Sequence, residues 1–121
     1  MKVIGIVGTR RKNNHQTHLP LVEAEFLKLY QLGDKICSGL CPKGADQFAV
    51  IIASKWKVEG IWFPANWEEY GKEAGLLRNT DIARTSDFLI ALVSDDRTGG
   101  VEDTVKKFIR FHGEEGLIIL S

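Results

Sequence analysis

Phe88-Leu89-Ile90-Ala91-Leu92-Val93 is an unbroken run of six apolar residues. A strand with one wet face alternates apolar and polar side chains. A continuous run instead predicts a strand covered on both faces, as in the middle of a parallel sheet. Val3-Ile4-Gly5-Ile6-Val7 reads the same way. Lys35-Ile36-Cys37-Ser38, Gly60-Ile61-Trp62-Phe63 and Leu117-Ile118-Ile119-Leu120 are shorter candidates, with Pro64 stopping the second of them. Between these runs the period lengthens to that of a helix. Leu19, Val22, Phe26, Leu29 and Tyr30 predict a first helix, with Pro20 in its opening turn and Gly33 at its end. Ala45, Phe48, Ala49, Ile52, Ala53 and Trp56 form the strongest helical stripe. Residues 65–75 have little period and read as a loop with room for a short helix. A helix is expected over 76–85, and Val101, Val105, Phe108, Ile109 and His112 mark a last one.

Five strands separated by helical connections predict an α/β chain: a Rossmann-like three-layer sandwich with a five-stranded parallel sheet, order 3-2-1-4-5. In that order the chain reverses direction between strands 1 and 4. A ligand is expected in the crevice there, outside the carboxyl ends of the strands.

The 121 residues suit a single domain over 1–121, large enough to bury a core without disulfides. Lys plus Arg and Asp plus Glu number 16 each, a balance that argues against a nucleic acid polymer as partner but not against a small anion. No apolar run is long enough for a membrane span, and Met1-Lys2 leads directly into a strand-like run, so no signal peptide and a cytoplasmic location are expected. Cys37 and Cys41, with His15 and His18 upstream, could in principle make a zinc site. The plainer reading is a small apolar residue in a buried strand and a loop thiol, and no metal or cofactor is expected.

The glycine-rich and polar segments fall at the carboxyl ends of the strands: Gly8-Thr9-Arg10, Ser38-Gly39 with Lys43-Gly44-Ala45-Asp46, and Thr98-Gly99-Gly100 after Ser94. Glycine lets a backbone approach a phosphate, and a helix start offers free N–H groups. The alternative is that all three are ordinary strand-to-helix turns. Arg10 and Lys43 are the cations best placed for phosphate, whereas Arg11 and Lys12 are expected to face solvent. Asp46, Glu102 and Asp103 lie in first helical turns, where the helix dipole alone would favour a carboxylate. Trp67 and Tyr70 either stack on a base or pack the connection against the domain. His112 reads as structural. No G-x-G-x-x-G, Walker-type or G-x-S-x-G motif is present.

Taken in order, Val7-Gly8-Thr9-Arg10, Ser38-Gly39, Lys43-Gly44-Ala45-Asp46, Phe63-Pro64-Ala65-Asn66-Trp67, Gly71-Lys72-Glu73-Ala74-Gly75, Arg78-Asn79, the segment 83–87 and Gly99-Gly100 resemble the SLOG superfamily, in particular its small YspA-like, cpYpsA-related branch. The resemblance implies a Rossmann-like domain, often a homodimer, that binds nucleotides or nucleotide-derived ligands such as nucleoside phosphates, NAD or ADP-ribose. It places the ligand among the loops after strands 1, 2 and 4, as the residue reading does, and the expected ligand site is Gly8, Thr9, Arg10, Ser38, Gly39, Lys43, Gly44, Asp46, Trp67, Arg78, Asn79, Ser94, Gly99 and Gly100. Relatives with phosphoribohydrolase activity carry P-G-G-x-G-T-x-x-E after strand 4. Here Val101 stands at the threonine and Thr104 at the catalytic glutamate, with Asp103 one position away and about 100° round the helix. The strand-2 loop over 38–46 is one residue longer than the usual form, and Asn66 stands where an Asp is common. The expected function is therefore a binder, acting as sensor or sequestering protein. The alternatives are an N-glycosidase using Asp103 or Asp46, and a protein-interaction domain presenting Trp56 or Trp62.

Overall fold

The computed structural model describes residues 1–41 and 43–121. Its elements are β1 (Val3–Gly8), α1 (His18–Leu29), β2 (Lys35–Ser38), α2 (Ala45–Trp56), β3 (Gly60–Trp62), α3 (Trp67–Tyr70), a 3₁₀ turn (Gly71–Glu73), α4 (Ala74–Thr85), β4 (Phe88–Leu92), α5 (Gly100–His112) and β5 (Leu117–Leu120). The five strands form one parallel sheet in the order β3-β2-β1-β4-β5.

The apolar run that predicted a doubly covered strand divides by parity. Ile90 and Leu92 join Ile4, Ile6 and Ile36 against Val22 and Phe26 of α1 and Phe48, Ala49 and Ile52 of α2. Leu89, Ala91 and Val93 face the other way, against Ile82 and Ala83 of α4 and Val101, Val105 and Phe108 of α5. Successive side chains on a strand point to opposite faces, so one strand serves both cores. The helices that precede β3 thus cover one face and those after it cover the other. That arrangement makes the boundary between β1 and β4 the place where the loops diverge.

Several boundaries differ from the sequence expectation. Gly33 does not end α1. The helix stops at Leu29, Tyr30 is already extended, and Gly33 sits at φ +98° in the turn closed by the Asp34 N–H on the Gln31 carbonyl, 3.0 Å. A turn with a positive φ at its third residue favours glycine as much as a helix end does, which is why the sequence could not separate the two. The stretch expected to be mostly loop holds α3, the 3₁₀ turn and the first turn of α4. Asn66 caps α3, its side-chain oxygen accepting the Glu69 N–H at 3.2 Å. Asn and Asp serve about equally as such caps, so the charge missing at Asn66 has a local structural explanation. Trp62 is half-buried against the α1–α2 core rather than presented to a partner. Trp56 is exposed and donates its indole N–H to Glu23 at 2.8 Å. His112, as expected, is structural: its Nε2 lies 2.9 Å from the Ala83 carbonyl, and its ring packs on Phe108. Among the described residues no helix is long and apolar enough to cross a membrane.

One buried acid fixes the start of the sheet. Asp34 accepts the Lys2 backbone N–H at 2.9 Å, the Lys2 ammonium at 2.5 Å and the Gln31 N–H at 2.9 Å. Burial works to raise its pKa, but the hydrogen bonds from Lys2 and Gln31 outweigh it and hold the carboxyl down to about 2. A carboxyl depressed in the fold adds stability above its unfolded value near 3.8 and loses it as pH falls through the folded value. Asp34→Asn is therefore expected to cost about 2 kcal/mol at pH 7. In urea unfolding series, the gap from the parent protein should narrow between about pH 4 and pH 2. A gap independent of pH would show that the charge on Asp34 contributes nothing.

Candidate functional site

The ends of β1 and β4 are tied together by the Thr9 N–H on the Leu92 carbonyl, 2.9 Å. Beyond that bond the β1 loop runs toward α1 and the β4 loop toward α5, leaving a cleft of about 320 Å³ between them. Gly8, Thr9, Arg10 and Arg11 line it from β1, and Thr98, Gly99 and Gly100 from the β4 loop and the start of α5. Cys41 and Asp46 close the β2 side, Arg78 and Asn79 come from α4, and Val7, Ile82, Val101 and Thr104 complete the wall.

Two glycine-led helix starts shape this edge. Gly44 precedes α2 at φ +80°, ψ −156°, and a Cβ there would overlap the Thr9 carbonyl oxygen. Its N–H donates to the Asn13 side chain at 2.7 Å, fastening the β1 loop across the start of α2. Gly99 precedes α5 at φ +105°, ψ −177°, with open space where a Cβ would stand. No side chain caps α2 or α5, and of the first-turn N–H groups of α5 that of Glu102 donates to the Gly99 carbonyl at 3.2 Å.

The floor is polar and buried. Asp46 is 6% exposed and accepts the Cys41 N–H at 3.1 Å. Burial raises its pKa above the usual carboxylate value, against the opposing pull of the Cys41 N–H, the Arg78 charge, the Ser38 hydroxyl and the Arg10 charge. Arg78 donates through one terminal nitrogen to the Gly39 carbonyl at 3.0 Å. Its Nε–H is buried and has no partner among the described residues. An unpaired buried donor costs about 1–3 kcal/mol, so this side chain carries a standing penalty in the fold. Arg10 rests its Nε–H on the Cys41 sulfur at 3.0 Å.

Of the expected ligand residues, the structure gathers Gly8, Thr9, Arg10, Asp46, Arg78, Asn79, Gly99 and Gly100 around one cleft. Others stand behind it. Ser38 is buried and donates to the Ile6 carbonyl at 2.5 Å, Gly39 receives Arg78, and Gly44 seats the β1 loop. Ser94 donates to Asp96 at 2.8 Å and to the Thr98 carbonyl at 3.0 Å, shaping the β4 loop. Lys43 is exposed and outside the cleft lining, as is Trp67, which lies against Gly75. Pro42, in the loop read as one residue long, lies outside the described residues. Asp103 also stands outside the lining: it pairs with Lys107 at 2.9 Å and accepts the Asn79 amide at 3.2 Å. Thr104, by contrast, is buried in the cleft wall.

Of the two cations expected to face solvent, Arg11 is exposed, at the rim of the cleft, whereas the Lys12 side chain is only 12% exposed. Arg11 lines the cleft and reaches Asp96 and Thr98, and its neighbour Lys12 pairs with Asp95 at 2.9 Å. Nothing in the one-dimensional pattern separates Arg10 from Arg11, because their directions depend on a turn in which the Arg11 N–H bonds the Thr9 hydroxyl. Cys37 is buried, with its thiol 3.0 Å from the Ser86 hydroxyl, and burial pushes its pKa up to about 11. His15 packs edge-on against Phe48, and no metal-binding cluster exists among the described residues. The chain matches no family model, no curated protein and no solved structure.

Proposed function

We propose that the cleft binds a nucleotide or nucleotide-derived phosphate and holds it without turnover, as a sensor or sequestering domain. The observation that carries this reading is a cleft lined by Arg10 and Arg78 together with Gly8 and the glycine-led start of α5. A phosphate seated between Gly8 and Gly100 would accept from backbone N–H groups and meet Arg10 and Arg78, both charge-assisted donors. The resemblance to the SLOG superfamily argues in the same direction, since its glycine loops correspond to those lining this cleft.

Two features favour binding over hydrolysis. Thr104 occupies the wall position where phosphoribohydrolase relatives carry glutamate, and Asp103 is held by Lys107 and Asn79 outside the cleft. The enzymatic alternative keeps one candidate. Asp46 is the only carboxylate lining the cleft among the described residues, and burial raises its pKa, as suits a general acid.

A thermal-shift screen against nucleoside monophosphates, NAD, ADP-ribose and its cyclic forms, each mixture then assayed for free base, tests both readings. A ligand at about 100 times its dissociation constant adds roughly 2.7 kcal/mol, a readily visible rise in Tm. Stabilisation with the ligand recovered intact is expected. Release of base, abolished by Asp46→Asn, would replace the binder with an N-glycosidase. No shift and no product across the panel would leave the glycine loops as turns and direct attention to Trp56 and a protein partner.

A further inference from the structure

The mouth of the cleft is crossed by one side chain. Arg11, from the β1 loop, donates to Asp96 Oδ2 at 2.9 Å, to the Thr98 hydroxyl at 2.8 Å and to the Thr98 carbonyl at 3.2 Å, all on the β4 loop. Asp96 does not depend on this partner for its position. Its other oxygen, Oδ1, accepts from the Ser94 hydroxyl at 2.8 Å, the Thr98 hydroxyl at 2.7 Å and the Thr98 N–H at 3.2 Å. The loop is pinned again where Arg97, at φ +54°, grips Glu102 through two bonds of 2.9 Å. The carboxylate is thus fixed to its own loop, and the guanidinium is the movable member of the pair.

We infer that Asp96 acts as an internal anion occupying Arg11, and that the pair sets a charge threshold for ligands. This rests on the reading of the cleft as a phosphate site. Arg11 and Asp96 are each more than half exposed, 55% and 57% by side chain. An ion pair so well solvated is held weakly, so Arg11 can be exchanged to a stronger anion at little cost. A terminal phosphomonoester carries about −1.5 to −2 charge near neutral pH and three acceptor oxygens. A phosphodiester carries one charge, no more than Asp96 itself, and has two free oxygens. Only the monoester gains by drawing Arg11 away from Asp96 and into the cleft that Arg11 already lines. A singly charged ligand leaves the clasp closed and is held by the remaining groups alone.

The test compares adenosine 5′-monophosphate with its 5′-phosphate methyl ester, which has nearly the same shape and one charge fewer, on the parent protein, Asp96→Asn and Arg11→Ala. Asparagine can still accept from Ser94 and Thr98, so the loop keeps its bonds. The parent is expected to prefer the monoester by tenfold or more. Asp96→Asn should narrow that ratio by tightening the methyl ester about fivefold, because Arg11 is released to either ligand. Arg11→Ala should narrow it by the opposite route, weakening the monoester and leaving the ester unchanged. If the parent binds but Asp96→Asn holds the methyl ester no tighter, or Arg11→Ala leaves the monoester unaffected, the clasp is only a loop fastening and the inference falls alone. If no variant binds either compound, the cleft takes no phosphomonoester and the inference falls, while the wider panel of NAD and ADP-ribose decides the reading of the cleft separately.

Discussion

Gly44→Ala is expected to lower stability by about 4 kcal/mol, a drop of roughly 15 °C in Tm for a domain of this size. Two separate penalties combine at this position. At φ +80°, ψ −156° the backbone lies in a region open essentially to glycine alone, worth about 1–3 kcal/mol for any side chain. The new methyl group would also overlap the Thr9 carbonyl oxygen, a backbone atom that cannot swing aside, for about another 1–3 kcal/mol. Thr9 lines the cleft, so relieving the overlap moves the β1 loop away from α2 and spoils the site as well. Gly99→Ala separates the two penalties. Gly99 has a similar backbone, φ +105°, ψ −177°, but open space around its absent Cβ. It should show only the strain, about 2 kcal/mol. Thermal unfolding of both variants decides the matter. Equal losses at the two positions would mean that the close approach of the β1 loop to α2 is not what requires glycine at 44.

Arg78→Met is expected to weaken ligand binding by roughly 10–100-fold while changing Tm by only a few degrees. Charge-assisted hydrogen bonds contribute about 1.5–3 kcal/mol, which sets the binding loss. Stability should respond differently because opposing effects meet at one side chain. The substitution removes a buried Nε–H that has no partner and keeps an apolar stem of similar length. It also takes a donor from the Gly39 carbonyl and a neighbouring charge from Asp46. Asp46 can answer the last loss by taking up a proton, a direction in which burial already pushes it. Calorimetric binding of whichever nucleotide stabilises the parent protein, set beside the Tm, reads both quantities. Unchanged affinity would mean that the cleft floor does not touch the ligand. A Tm loss as large as that of Gly44→Ala would make Arg78 a structural residue first.

The amino-acid sequence by itself determined the layered architecture and the edge of the sheet at which the glycine-rich loops gather. The run at 88–93 could be covered on both faces only inside a sandwich, and the alternation of strand-like and helix-like periods left a parallel sheet as the solution. Strand order placed Gly8, Gly99 and Gly100 at one crevice, and the structure brings them there. These features follow from local periodicity, which a chain carries in one dimension.

Tertiary structure decided which side chains meet. Arg10 and Arg11 are indistinguishable in the sequence, yet the second spans 85 residues to reach Asp96. Lys43, a neighbour of the glycine turn, points into solvent. Asp103 and Asp46 were equal alternatives in the sequence, yet Asp103 is turned toward Lys107 by the helix period while Asp46 lines the cleft. Gly33 and Gly44 look alike as letters, but only Gly44 lies against another loop's carbonyl. The direction of a loop side chain is set by turn geometry and by partners distant in sequence, and neither leaves a periodic trace.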